Sequence, residues 1–444
     1  MTYPKVLIIG QQFDKRSGGG ITLTNLFYGW DINKIAVAAS EINNPDFSVC
    51  NRFYCIGTSE IERDFPFNLK LSVKEPDSCI VECSDHQQQP NFTTKPQENR
   101  LILLKDSLLY LTGQIHRRRK LVISKELLNW INEFSPDIIY SQLSTFELIR
   151  FVDKLHSELK KPLVFHMMDD WPTIITAEQK GIFKLYWTHR IDNALKRLLS
   201  KANVLLSISE SMSEAYFSRY NLTFIPFHNP IIKEDWLLYS KNEWNINSVF
   251  KLVYTGRIGT ATNKSILFIS KTIDKINQSG LRIKLDIYSS NYSSQMAAKF
   301  HVFKGVEVKQ AVPHNSIPSL LYNYDLLLLP LDFDKVGIDF ARYSMPTKAS
   351  EYMISGTPTL VFADMQTALA KHAIKYKWAY VVSENSTDQL ETALNKLATD
   401  KDLRTELVYN AKEFAIKHYD SKIVREEFKN SLQNAHYHMI SNVN

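Results

Sequence analysis

Short apolar runs, each closed by a glycine, proline or polar turn, recur along the chain and alternate with amphipathic stretches. KVLIIG at 5–10, IAVAA at 35–39, PDIIYSQ at 136–142, LVFH at 163–166 and VLLSIS at 204–209 have strand length and little polar alternation. That is the pattern of strands covered on both faces. LLLLPL at 326–331 and TLVFA at 359–363 repeat it, and FKLVYT at 250–255, IKLDIYSS at 283–290 and VEVKQ at 306–310 are further runs of strand length. Between them, helical periodicity predicts helices over 101–134, 146–159, 191–200, 316–325, 388–399, 402–418 and 421–437. Strands alternating with helices imply an α/β protein with parallel sheets and right-handed crossovers. The stretch 41–100 breaks the pattern, and 85–99, rich in Gln, Pro, Asn and Thr, reads as a surface loop.

The segment 344–364, SMPTKASEYMISGTPTLVFAD, organises the second half. Pro346 suits a first helical turn, Gly356 can take the left-handed conformation that ends a helix, and Pro358 blocks continuation, so a helix is expected over 346–355. Ala349, Tyr352 and Met353 then form its buried face, while Lys348, Glu351 and Ser355 share the other. Read alone, Lys348 and Glu351 are a solvated pair worth a few tenths of a kcal/mol. Near a helix N-terminus they also suit a sugar nucleotide, with the carboxylate on ribose hydroxyls and the amides and ammonium on phosphates.

With 444 residues the chain needs two or three domains. Its 44% hydrophobic and 23% charged content is that of a globular protein. No apolar run reaches the roughly eighteen residues of a membrane span, which gives a cytoplasmic expectation. The net charge of +6 is mild, but Arg117, Arg118, Arg119 and Lys120 follow the apolar LILLKDSLLYLTGQI. Such a pairing could lie on an anionic membrane surface or be a solvated helix end. No recognised nucleic-acid motif accompanies it. Cys50, Cys55, Cys79 and Cys83, with His86 nearby, lack the tight spacing of structural zinc sites and read as reduced thiols.

Three further groups carry candidate chemistry. Gly18, Gly19 and Gly20 lie between the first strand and a helix, where backbone can approach phosphate, though their spacing does not fit G-x-G-x-x-G. His166, Asp169, Asp170 and Trp171 follow the carboxyl end of LVFH, the place where α/β sheets bind ligands. There His166 could exchange a proton and Asp170 orient a hydroxyl, or His166 could be a core residue with Asp170 capping the next helix. Arg257 and Lys264 flank a strand–turn–helix junction and could neutralise a departing diphosphate.

PTKASEYMISGTPTLVF resembles the P-[ST]-K-x-x-E-[YF]-x-x-x-G-x-P-[VT] segment of retaining GT-B glycosyltransferases of family four, the glycosyl transferases group 1 that include sucrose synthase-like and bacterial polysaccharide enzymes. Ser209 to Met212 is similar to the family's S-E-x-M segment, and FIPFHNPI at 224–231 to the strand and turn leaving its first domain. The resemblance implies two facing, doubly wound Rossmann-like domains with a cleft between them. Their expected limits are 1–235 for the acceptor side and 236–420 for the nucleotide sugar, with 421–444 a helix crossing back. It implies Arg257 and Lys264 on the diphosphate, Glu351 on the ribose, Lys348 on a phosphate or the sugar, and Gly19 on the phosphate side. His166 or Asp170 would face the reacting sugar. The loops at 289–290 and 311–313 would face the base.

The activity so implied is metal-independent transfer of a sugar from a nucleoside diphosphate sugar to a glycan or lipid-linked acceptor, with retention. The setting would be polysaccharide or glycoconjugate biosynthesis, membrane-associated, without cofactor or nucleic acid. Two departures stand out. Lys264 lies about two residues further along than usual, and Tyr343, in the DKVGIDFARYSMP loop, occupies the place of the first glutamate of the family's E-x7-E motif. A GT-B sugar-nucleotide epimerase and a non-catalytic GT-B scaffold remain alternatives.

Overall fold

Every apolar run read above as a strand is one, and hydrogen bonding orders these runs into two main sheets. The computed structural model describes residues 3–14, 18–42, 45–63, 76–81, 107–117, 119–176, 179–241, 243–246, 248–280 and 282–441. Arg118, Cys83, His86 and the loop 85–99 lie outside them. The chain divides into two units, one formed by the residues up to Phe227 together with those from Arg425 onward, the other by His228–Val424.

The first unit contains β1 (Val6–Ile9), β2 (Ile35–Ala39), β3 (Phe53–Cys55), β4 (Ile61–Glu62), β5 (Cys79–Val81), β6 (Lys120–Leu121), β7 (Ile138–Ser141), β8 (Leu163–Met167), β9 (Val204–Ser207) and β10 (Ile225–Pro226). Its main sheet runs β10-β9-β8-β7-β1-β2-β3-β5, parallel except for β5, while β4 and β6 pair separately. The order reverses direction between β1 and β7, so the loops after those two strands flank a switch point.

The helix over Phe146–Leu159 has the expected limits, begun by Thr145, whose hydroxyl accepts from the Leu148 N–H, and ended by Lys160 in the left-handed region. The helical pattern over 101–134 is interrupted. Its described part is helical at 107–111, forms a 3-10 turn at Gln114–Arg117, pairs as β6, and resumes only at Lys125–Phe134. Gly113, at φ +69°, ends the first helical piece, and Trp187, on a helix that runs over Gly181–Leu199, packs over it and donates its indole N–H to the Thr112 carbonyl at 2.9 Å. Phe428, on the last helix (Ser421–Ser441), packs edge-on against Phe27, Tyr140 and Phe227, with ring centroids 5.1, 6.2 and 5.6 Å apart.

The second unit contains β11 (Phe250–Thr255), β12 (Ile283–Ser289), β13 (Val306–Gln310), β14 (Leu326–Pro330), β15 (Thr359–Phe362) and β16 (Tyr380–Val382). They form one all-parallel sheet in the order β13-β12-β11-β14-β15-β16, with its switch point between β11 and β14. Leu252, Leu285, Ile287, Leu328 and Leu360 build its core with Ile269 and Ile273 of the helix Asn263–Gln278.

The helix expected over 346–355 spans Lys348–Ile354, and Gly356 takes φ +77°, the left-handed stop. One expectation needs correcting. Ser350, Glu351 and Ile354 are buried along with Ala349, Tyr352 and Met353, so this helix is enclosed on nearly every side. The stretch 334–346, read as a loop, holds a short helix at Lys335–Ala341, capped by Asp334, whose carboxylate accepts from the Gly337 N–H at 3.3 Å. Two turns of helix bounded by loops are too short to leave a periodic signal.

Candidate functional site

In an open parallel sheet, ligands sit beyond the carboxyl ends of the strands at the switch point. In the second unit the loops after β11 and β14 meet there: the Asp332 N–H donates to the Ala261 carbonyl at 2.7 Å, and Ala261 is held at φ +71°. Asp332 also accepts from the Ser265 N–H at 2.7 Å, so this buried carboxylate caps the helix Asn263–Gln278 from the neighbouring strand end. A concavity of about 430 Å³ opens between the two loops, lined among others by Gly259, Thr260, Lys264, Asp334 and Val336.

Lys348 and Glu351 stand beside the end of β11. The half-buried Lys348 ammonium donates to the Thr255 carbonyl at 2.8 Å and lies 4.3 Å from the centre of the Tyr254 ring. An ammonium has three protons; one is used here. Gly256, at φ +146°, leaves the room this needs, since an added Cβ would collide with Lys348 Nζ. Tyr352 fixes the same strand end, its hydroxyl accepting from the Thr255 N–H at 3.1 Å and meeting Thr255 Oγ1 at 2.9 Å.

Glu351 is 8% exposed, and among the described residues no donor hydrogen-bonds its carboxylate. Its nearest cation is the exposed His314, with Nε2 3.7 Å from Glu351 Oε1. Burial raises the carboxyl's pKa, opposed by His314 and Lys348, and burial lowers that of Lys348, opposed by Tyr352 and Glu351. Burying a carboxylate without donors is costly, and 11% of this side chain still meets solvent. So placed, the carboxylate can accept hydrogen bonds from a bound ligand.

The other two cations differ from each other. Arg257 is exposed, and among the described residues no carboxylate lies within ion-pair distance of its guanidinium. Lys264, also exposed, pairs with Asp334 at 2.8 Å. Exposed pairs are worth about 0–1 kcal/mol, so a phosphate can displace Asp334 at small cost. Arg257, Lys264, Lys348 and Glu351 thus all lie at or near the carboxyl end of β11.

The remaining predicted residues belong to the first unit. Gly19 lies in the first turn of the helix Gly18–Phe27, where an added Cβ would stand 3.4 Å from Gln142 Oε1 and 3.5 Å from Gln11 Oε1. Those side chains come from the two loops at that unit's switch point. His166 is fully buried, its Nδ1 2.8 Å from the Tyr140 hydroxyl. Its Nε2, near the backbone of Phe227 and Ser207, makes no hydrogen bond of good geometry. Burial pushes the imidazole down to about 4, leaving it neutral at physiological pH. Asp170 is buried and heavily engaged: Arg219 grips it at 3.0 and 3.3 Å, the Tyr216 hydroxyl donates at 3.0 Å and Thr173 Oγ1 at 2.8 Å.

Sequence reasoning missed His314 and Thr255. His314 follows β13 in a loop marked only as facing a base, and Thr255 acts through its backbone, which no motif spells. Among the described residues, no three His, Cys, Asp or Glu side chains form a metal-binding group. Cys50 and Cys55 are buried thiols, which burial pushes up to about 12 and about 11, and Cys79 is exposed.

Comparison with known proteins places these observations in a wider set. Residues 241–414, within the second unit, match the family model described as glycosyl transferases group 1. No curated protein sequence is significantly similar to the chain. Among solved structures, Anabaena Alr3699/HepE in complex with UDP and glucose is 13% identical, covering 97% of this chain and 100% of its own, with a TM-score of 0.55. Sucrose-phosphate synthase from Thermosynechococcus elongatus is 11% identical, covering 99% and 100%, with a TM-score of 0.59. The α,α-trehalose 6-phosphate synthase from Burkholderia multivorans is 11% identical, covering 100% and 99%, with a TM-score of 0.60. At such identities the likeness shows the fold alone, and the fold is GT-B, with two Rossmann-like units in one chain.

Proposed function

We propose that the chain is a glycosyltransferase that binds a nucleoside diphosphate sugar in its second unit and transfers the sugar to an acceptor hydroxyl. The observation that carries this reading is Glu351, a buried carboxylate that no donor among the described residues hydrogen-bonds, set one helical turn from a lysine held by the Thr255 carbonyl. Vicinal ribose hydroxyls supply the two donors that Glu351 lacks. Arg257 and Lys348 meet the charge of the diphosphate as it leaves, joined by Lys264 once phosphate displaces Asp334. Preorganised cations of this kind stabilise a developing charge without reorganising at the moment of reaction.

The match over 241–414 supports the reaction class, and the structures bound to UDP or UDP-sugars make UDP-glucose the first donor to test. The reading assigns no chemical step to His166 or Asp170, whose polar atoms are directed into the first unit. It takes the reaction to proceed with retention, without a metal, and to serve polysaccharide or glycoconjugate synthesis. The test is NMR of the products from UDP-, GDP- and ADP-sugars offered with glycan and lipid-linked acceptors. A new glycosidic bond with the donor's anomeric configuration is expected. An inverted linkage would overturn retention, and a free epimerised nucleotide sugar would make the chain an epimerase.

A further inference from the structure

The first ten residues of the helix Gly181–Leu199 are exposed apart from Trp187, although Ile182, Phe183, Leu185 and Tyr186 are among them. Ile182 and Leu185 are 75% and 72% exposed. A neighbouring element of the same unit continues the surface, with Leu108 at 62%, Tyr110 and Leu111 also exposed. Trp187 joins the two through its bond to the Thr112 carbonyl, and Gln179 donates to the Tyr110 carbonyl at 2.9 Å. Monomers rarely leave apolar side chains this clustered in water.

Charge identifies what covers them. Neither 107–120 nor 179–190 contains an aspartate or glutamate, whereas Arg117, Lys180, Lys184 and Arg190 are exposed around the apolar side chains. Lys180 and Lys184 have no ion-pair partner among the described residues. The most exposed of these side chains, Ile182, Leu185 and Leu108, have no ring to stack on a nucleobase but do enter hydrocarbon, while Phe183, Tyr186 and Tyr110 suit the interfacial level of a bilayer. A cation-ringed apolar patch lying in the plane of a bilayer is the arrangement of interfacial helices. Among the described residues no helix is long and apolar enough to cross a membrane.

We infer that this patch docks the protein onto an anionic lipid bilayer, with Ile182 and Leu185 inserted among the acyl chains and Lys180, Lys184, Arg190 and Arg117 on the headgroups. The inference does not rest on the nucleotide site, so the two fail separately. The test is co-sedimentation of the full chain with vesicles of phosphatidylcholine alone or with 30% phosphatidylglycerol. Anionic vesicles are expected to bind at least tenfold more tightly, with binding weakened by salt. The paired variants Ile182→Asp with Leu185→Asp, and Lys180→Glu with Lys184→Glu, are each expected to lose at least tenfold. Leu238→Asp, at an exposed leucine of the second unit, and Glu351→Gln should bind as the wild type does. All the surface substitutions fall at exposed positions, and circular dichroism checks that the fold is kept. Equal binding to both vesicles, or unchanged binding by the paired variants, would overturn the inference. So would a dimer in size-exclusion chromatography that Ile182→Asp with Leu185→Asp dissolves while vesicle binding persists.

Discussion

Glu351 carries opposite consequences for stability and for binding. Its raised pKa means the folded state holds the proton more tightly than the unfolded chain, so the charge costs stability that is lost as pH rises above the ordinary value of 4.5. Glu351→Gln should therefore raise the melting temperature of the ligand-free protein at pH 7, by about 2–4 °C if the relief is roughly 1 kcal/mol. Scanning calorimetry checks it, and a lower melting temperature would contradict it. His166 works in the other direction. Its pKa, lowered from 6.5 to about 4, lets the unfolded chain take up a proton that the folded one refuses, so stability falls as pH drops from about 6.5 toward 4. Urea melts across that window should give His166→Gln a shallower loss, by up to about 1.4 kcal/mol per pH unit, the slope of one proton. Asp170→Asn should cost about 3 kcal/mol, the low end for breaking a buried pair, because Arg219 keeps part of its surface in water. At this scale the sequence showed Lys348 and Glu351, which share one helical turn and a motif. It could not show whether His166 met solvent or core, since that depends on Tyr140, brought alongside by strand pairing.

Among the elements, the turn after β11 does the most to shape the site. Gly256 gives Lys348 its place beside the Thr255 carbonyl, so Gly256→Ala should push the ammonium aside and strain a backbone at φ +146°. At least a tenfold loss of UDP affinity is expected, measured by fluorescence or calorimetry, with the second unit still folded. Strands were legible because each is a compact apolar run with a polar or glycine stop, as KVLIIG and FKLVYTG show. Helices were legible where one face is amphipathic, as over Phe146–Leu159. Lys348–Ile354 was found but its exposure was misjudged, because polar side chains such as Ser350 and Glu351 normally mark a wet face and here line an enclosed one. The interruption near Thr112 had a local mark in Gly113, which takes φ +69°, but the apolar periodicity around it masked the stop that Trp187 seals from 75 residues away.

For the whole molecule, the same strand logic appears twice, an order that reverses beside the first strand of each unit. Alternating apolar runs and helices foretold the α/β class but not this order, which resides in contacts between runs distant in sequence. The first unit is closed by the chain's last helix, and Phe428, fully buried against three aromatic rings, should cost about 3–5 kcal/mol when cut to alanine. The central claim is that the second unit's switch point binds a nucleoside diphosphate through Glu351 and Arg257. Isothermal titration of UDP, GDP and ADP tests it most directly. At least one should bind the wild type, with affinity falling at least tenfold in both Glu351→Gln and Arg257→Ala. Equal affinity in wild type and both variants, or no binding of any of the three, would contradict the account.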